Sequence, residues 1–279
     1  KGKIMKKSKN FIARYLTILI GAPLVILLFI YANQLVINIF VSIVSIITLR
    51  EYYECFKRTG KAKPTQWVGY LNCILITILQ FVDKEKLYAA MLIVLAMSML
   101  ILFIEQIITG GKKTIVDIMV TIFGIAYVPF LLVFFTLLRA KQPMGLIYIA
   151  YIFTSAWGSD TFAYLIGKKF GKHKLTPISP KKTVEGAIGG IVGALLFSLI
   201  YTIGMNNLMN LSINYLHIAI VTFVLAIIGE IGDLAASGIK RYCGIKDFSD
   251  LLPGHGGMLD RIDSLLLITP FAYILFGML

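Results

Sequence analysis

The sequence predicts an all-α fold: a polytopic helical membrane protein of about nine transmembrane helices, with its N-terminus in the cytoplasm. Three observations predict it. Of 279 residues, 58% are hydrophobic and only 15% charged, and the mean hydropathy is +0.85; a soluble domain of this length carries far more charge. The apolar residues fall in runs long enough to cross a hydrocarbon core of ~30 Å, which takes roughly 20 helical residues. The basic residues fall on one side, with 23 of the 27 Lys and Arg in alternate connecting segments, a positive-inside bias.

In chain order the runs are 15–32, 34–50, 66–82, 87–108, 115–138, 145–166, 186–205, 215–236 and 261–279. The first follows a basic N-terminal segment, 1–14. A basic opening before an apolar run also describes a signal peptide, but no small-residue cleavage site appears, and Pro23 lies within a run long enough to span. Met5 reads as a natural start behind Lys1–Ile4. The first two runs meet so tightly at Asn33 and Gln34 that a helical hairpin is expected. The cytoplasmic segments are then 1–14, 50–65, 109–114, 167–185 and 237–261. Lys84, Lys86, Arg139 and Lys141 are left to the outer loops, and nine spans leave the C-terminus outside. No long polar region interrupts the pattern, so 1–279 reads as one membrane-embedded domain.

The net charge of +13 would suggest nucleic acid in a soluble protein. Here it belongs to cytoplasmic loops lying against anionic headgroups, and no nucleic-acid partner is expected. Cys55, Cys73 and Cys243 are scattered without the spacing of a disulfide framework or a zinc site. Glu105 and Asp117 flank a short basic loop and suit structural pairing with Lys112 or Lys113.

Charge concentrates in two glycine-punctuated loops, 167–185 and 237–261. In the eighth run Glu230, Asp233, Ser237 and Lys240 or Arg241 recur at spacings of three and four, so they share one helical face. Carboxylates at membrane depth usually mark a site or an ion path. The ninth run opens with Asp260-Arg261-Ile262-Asp263, acids that suit a helix dipole on their own. The preceding Pro253-Gly254-His255-Gly256-Gly257 adds backbone N–H groups for an anion such as phosphate. Carboxylates there would repel phosphate unless a divalent cation lay between, so Asp233 and Asp260 are candidate Mg²⁺ ligands. Lys240, Arg241, Lys246 and Arg261 supply positive charge around them. Three roles stay open for His255: base, phosphate donor and loop-fixing hydrogen bonder.

Upstream, Asp160 and Tyr164 are four residues apart and face one way. Ser179 to Glu185 reads as a proline-led turn with Thr183 as the helix cap. Lys181, Lys182 and Thr183 form either a second anion site or an ordinary capped helix start. A Walker-type phosphate loop is absent.

At these residues the chain resembles the phosphatidate cytidylyltransferase family, also called CDP-diacylglycerol synthase. The family's C-terminal signature is met by Ser237, Lys240, Arg241, Lys246, Asp247, His255, Gly256, Gly257, Asp260, Arg261 and Asp263, eleven positions over 27 residues. Its second block resembles Ser159-Asp160, Ala163-Tyr164 and Ser179-Pro180-Lys181-Lys182-Thr183-Val184-Glu185-Gly186. The resemblance implies transfer of CMP from CTP to phosphatidate, releasing pyrophosphate, with Mg²⁺ and a monovalent cation such as K⁺ beside it. It also implies a homodimer in a bacterial-type cytoplasmic membrane, with the active site facing the cytoplasm. On that basis Asp233, Asp260 and Asp160 are metal candidates, and Lys240, Arg241, His255, Arg261 and Asp263 catalytic candidates. Ser179, Lys181, Lys182, Thr183, Glu185, Ser237, Lys246, Asp247, Gly256, Gly257 and Tyr164 are candidates for substrate binding. Two rivals are a CTP-using lipid kinase and an ion-coupled transporter; charge concentrated on one side and the lack of repeat symmetry weigh against the second.

Overall fold

The computed structural model describes residues 21, 23–251, 254, 256–278. The expectations for 1–14, for the start of the first span and for His255 lie outside the described residues. Among those described there are helices and no strand, with one isolated antiparallel bridge between Lys174 and Thr183. Six helical stretches are long and apolar enough to cross a membrane: Gln34–Arg58, Glu85–Ile108, Ile115–Arg139, Val184–Met209, Tyr215–Tyr242 and Leu259–Met278. The chain divides into two compact units, Lys1–Thr136 with Tyr242–Ile262, and Leu137–Arg241 with Asp263–Leu279.

In the first unit α1 is described over 23–31 and α2 spans Gln34–Arg58. Only Ala32 and Asn33 separate them. Asn33 caps α2, its side chain accepting from the Val36 N–H at 3.0 Å, and the Phe29 and Phe40 rings meet edge-to-face at 6.1 Å across the turn. The break falls where the sequence placed it. At its other end α2 runs eight residues past the expected boundary, carrying Glu51 to Arg58 in the same helix.

Helices α3 (Gln66–Leu79), α4 (Lys84–Ile108) and α5 (Ile115–Tyr127) follow. They meet on an apolar cluster of Val68, Leu102, Ile118 and Ile125. Gly124 lets the rings of Tyr52 and Tyr53 lie against α5, since a Cβ there would stand 2.7 Å from Tyr53 and 2.9 Å from Tyr52. The Tyr53 hydroxyl donates to the Thr121 carbonyl at 2.9 Å. Asp117 and Thr114 form a capping box at the start of α5. Glu105 pairs with Lys113 at 3.6 Å, the structural role expected of it. The run expected as one span over 115–138 is a single candidate span, Ile115–Arg139, whose helix is interrupted at Val128, where Pro129 opens α6 (Pro129–Arg139). Proline brings no N–H and cannot continue the α5 ladder.

The second unit contains α7 (Gly145–Phe170), α8 (Val184–Met209), most of α9 (Tyr215–Tyr242) and most of α10 (Leu259–Leu275), with a closing 3₁₀ turn at Phe276–Met278. Helix α7 is 26 residues long but carries Thr154, Ser155, Ser159, Asp160 and Thr161, so it is the polar member of the set. It packs along the glycine face of α8. A Cβ on Gly190 would stand 2.9 Å from the Ser159 carbonyl, and one on Gly186 would stand 2.9 Å from the Ala163 carbonyl. Gly189 and Gly193 receive Ile166 and Phe162 in the same way. Small residues that admit a neighbour's backbone hold membrane helices together where water exclusion gives no drive. Pro270 lies inside α10, which continues through it, and just before it the Thr269 hydroxyl donates to the Leu266 carbonyl at 3.2 Å, the local re-bonding that lets a membrane helix tolerate proline.

Candidate functional site

In the second unit the loop between α7 and α8 is folded by its own residues. Thr183 caps α8, its hydroxyl oxygen accepting from the Gly186 N–H at 3.1 Å, as the sequence indicated. Gly171 turns so close to Thr183 that a Cβ would lie 2.7 Å from its hydroxyl oxygen. Glu185 ties the loop from within: it accepts from the backbone N–H of Lys172 at 3.1 Å and meets His173 Nδ1 at 2.6 Å. The Leu175 N–H donates to the Lys182 carbonyl at 3.0 Å, and the Val184 N–H to the His173 carbonyl at 2.9 Å. This frame fixes the direction of Lys182.

Lys182 Nζ stands 2.6 Å from Asp233 Oδ2. That ion pair joins the Ser179–Glu185 turn to the polar face of α9, two motifs about fifty residues apart in sequence. The same face holds Ser237 and Lys240, both buried, while Arg241 turns outward. The helix therefore resolves the choice between Lys240 and Arg241 in favour of Lys240 for this face. Arg241 Nε instead donates to the Ile178 carbonyl at 3.4 Å. Asp160 and Asp233 are charged neighbours of both Glu230 and Asp263, with Lys182 beside Glu230 and Lys240 beside Asp263. Asp263 is 8% exposed and accepts from the Ser264 N–H at 2.9 Å. Gly190 and Gly232 make room for these acids: a Cβ on Gly190 would lie 2.9 Å from Glu230 Oε1, and one on Gly232 2.9 Å from the Asp263 carbonyl. Tyr164 is exposed beside Lys168, whose ammonium is 5.7 Å from the ring centre. Lys181 is exposed and Ser179 half-buried.

In the first unit the segment before α10 is fastened by hydrogen bonds to carboxylates. Asp260 Oδ2 accepts from the N–H groups of Gly257 and Phe248, each at 2.9 Å. Gly256 adopts φ +81°, and Gly254 φ +77°, the left-handed region where a side chain would be strained. Gly257 lies against Glu51, whose carboxylate a Cβ would strike. Glu51, 6% exposed on α2, accepts from Ser249 Oγ at 2.6 Å, Met258 N at 2.9 Å and Leu259 N at 2.8 Å. It thus satisfies N–H groups that α10 leaves open at its start, from about 200 residues away in sequence. Lys246, Asp247 and Arg261 are exposed.

Sequence reasoning missed Glu51. Its signal was an acid on an otherwise buried helical face with Thr48 and Tyr52, next to Leu49-Arg50, and it was hidden by the nearby Arg50 and Glu54. Asp263, expected among the catalytic residues, is grouped by the structure with Asp160 and Asp233, which were expected as metal ligands. Among the described residues, no three His, Cys, Asp or Glu side chains converge as a ready-made cation cage. The donor set nevertheless suits a hard divalent ion. It is all carboxylate oxygen, and the Asp233 carboxylate already holds a cationic group, the Lys182 ammonium, at 2.6 Å.

The sequence profile of the cytidylyltransferase family matches residues 12–279. A phosphatidate cytidylyltransferase of Staphylococcus aureus (strain COL) is 36% identical over 263 residues, covering 94% of this chain and 97% of its own. One from Staphylococcus haemolyticus is 41% identical over 182 residues, 65% of this chain and 67% of its own. One from Bacillus subtilis (strain 168) is 43% identical over 146 residues, 52% of this chain and 53% of its own. With its two charged loops built as described and the family profile running through both of them, the chain belongs to the cytidylyltransferase family.

Proposed function

We infer that this protein is a phosphatidate cytidylyltransferase: it transfers CMP from CTP to phosphatidate, giving CDP-diacylglycerol and pyrophosphate. The observation that carries the reading is the Lys182–Asp233 pair, which joins the Ser179–Gly186 block to the α9 face that runs on to Ser237 and Lys240, in a chain that relatives of that name match nearly end to end. An oxygen of the phosphatidate phosphate attacks the α-phosphorus of CTP in line; the new P–O bond forms as the bond to pyrophosphate breaks. A phosphate monoester is largely ionised near pH 7, so no strong base is required. Phosphoryl chemistry of this kind is governed by positioning and charge compensation rather than by covalent help from the enzyme.

The roles follow from chemistry. Lys181, Lys182, Lys240, Arg241, Lys246 and Arg261 neutralise phosphate charge, with Arg suited to bidentate contacts. Ser179, Ser237 and the Gly256 N–H donate to phosphate oxygens, Thr183 caps α8, Gly257 steadies the Asp260 carboxylate through its N–H, and His255 is assigned to binding. Tyr164, Glu185 and Asp247 shape the substrate loops, and Asp263 fixes the charge of the carboxylate group. Asp160, Asp233 and Asp260 are assigned to Mg²⁺, with K⁺ as an additional ion. Bound, Mg²⁺ neutralises the phosphate oxygens and steadies the leaving pyrophosphate. The finer topology belongs to the same proposal: one membrane domain with nine spans, the N-terminus and the catalytic region 155–265 on the cytoplasmic side of a bacterial membrane, and two copies forming a homodimer.

Labelled CTP tests the reaction. Purified protein in detergent with phosphatidate should release pyrophosphate and leave α-phosphate label in lipid. Lipid carrying γ-label instead would identify a kinase and overturn the reading.

A further inference from the structure

A depression of about 260 Å³ in the first unit is lined by Cys55 and Arg58 of α2 and by Ile245, Asp247, Phe248, Ser249 and Asp250. We propose that it receives the cytosine base of the nucleotide, with Asp247 and Asp250 accepting from the exocyclic amine and Arg58 donating to the ring acceptors. The proposal rests on the CTP-dependent reading above and names how that substrate is told from its uridine counterpart.

Three observations carry it. The wall is bonded to the segment that leads into α10: Phe248 N–H donates to Asp260 Oδ2 at 2.9 Å, and Ser249 Oγ to Glu51 Oε1 at 2.6 Å. Glu51 in turn holds the N–H groups of Met258 and Leu259. A nucleotide whose phosphates meet the basic residues Lys246 and Arg261 therefore has this depression beside it, on the same fastened loop. The size suits one nucleoside-sized group, near the lower bound of ~300 Å³ for small-molecule sites. The chemistry matches a cytosine edge. Carboxylates accept from its N4 amine, whereas uracil places an acceptor oxygen there and would face the acids with like polarity. Arg58 is already oriented by Glu54, Nε to Oε2 at 3.5 Å, and has further N–H groups in its planar fork. Ile245 and Phe248 supply the apolar edge. A lipid chain would find too much charge here, with an arginine and two acids around so small a volume.

The test compares kcat/KM for CTP and UTP, with phosphatidate, in wild type, Asp247→Asn, Asp250→Asn and Arg58→Gln. Wild type should prefer CTP, and at least one Asn variant should lower the CTP:UTP ratio 10-fold or more, chiefly through KM for CTP. Ratios unchanged in all three variants, or no preference in wild type, would overturn the proposal. Wild type without any CTP-dependent turnover would instead sink the functional reading on which it rests. A second measurement needs no variant. Photolabelling of the wild-type protein with 5-azido-CTP should mark 55–58 or 245–250, and label confined elsewhere would overturn the pocket assignment.

Discussion

The two charged loops are held by opposite means. Around 171–186, short-range bonds within the loop set the frame, and the working group is a long side chain, Lys182, reaching Asp233 at 2.6 Å. Around 245–260, two carboxylates grip the backbone itself, Glu51 from α2 and Asp260 from the start of α10: together they receive four backbone N–H groups. The first device is a point charge on a flexible stem, which can follow a phosphate as it changes partners. The second is preorganised, and its groups do not reorganise when charge develops. A transferase that must bind two phosphorylated substrates and release two others has use for one of each.

The contrast can be broken at four points. Asp233→Asn removes the anionic partner of Lys182, and turnover should fall by about 10²–10³-fold or more while the protein still inserts and purifies normally. Near-wild-type activity would remove Asp233 from the cation assignment. Glu51→Gln attacks the rigid half. One carboxylate oxygen becomes an NH₂ facing a backbone N–H, and stability should drop by about 2–3 kcal/mol. Thermal inactivation would show this as a lower midpoint, with a fall in kcat of ~10-fold. An unchanged midpoint would show that the loop is held by something else.

Lys182→Ala should raise KM for one phosphorylated substrate by about 10-fold, the loss of a single charge-assisted contact. Lys182→Arg should recover part of it, and identical kinetics in all three proteins would make the residue merely topological. Smallest is Thr183→Ala, which removes one helix cap worth about 1 kcal/mol. It should lower the inactivation midpoint slightly with little change in KM. A large change in KM would place the hydroxyl on substrate instead.

Much of this site was legible because its chemistry is local in sequence. The cap at Thr183, the shared face of Asp233, Ser237 and Lys240, and the glycine turn before Asp260 follow from spacing alone. The helix break at Asn33 did too. The break at Val128–Pro129 had its proline in plain view, yet a continuous apolar run masked it, because hydropathy is blind to a missing N–H. Glu51 was out of reach for a different reason. Its partners lie about 200 residues away, and near Arg50 and Glu54 it reads as one more charge at a helix end. The grouping of Asp263 with Asp160 and Asp233 was likewise hidden, since the three acids stand on three different helices, α10, α7 and α9, and so was the close approach of α7 to α8.

That approach bears on how the protein enters its membrane. If α7 lies in the bilayer, a segment bearing Asp160 and a row of hydroxyls would partition poorly when it emerges alone from the insertion machinery. Thr154 and Ser159 find partners or cover only once Ser198 and the bare backbone of Gly190 on α8 are alongside. The two should therefore be threaded in as a single hairpin, and bulk added at Gly190 would appear first as failed biogenesis in the cell, before any assay of the finished enzyme.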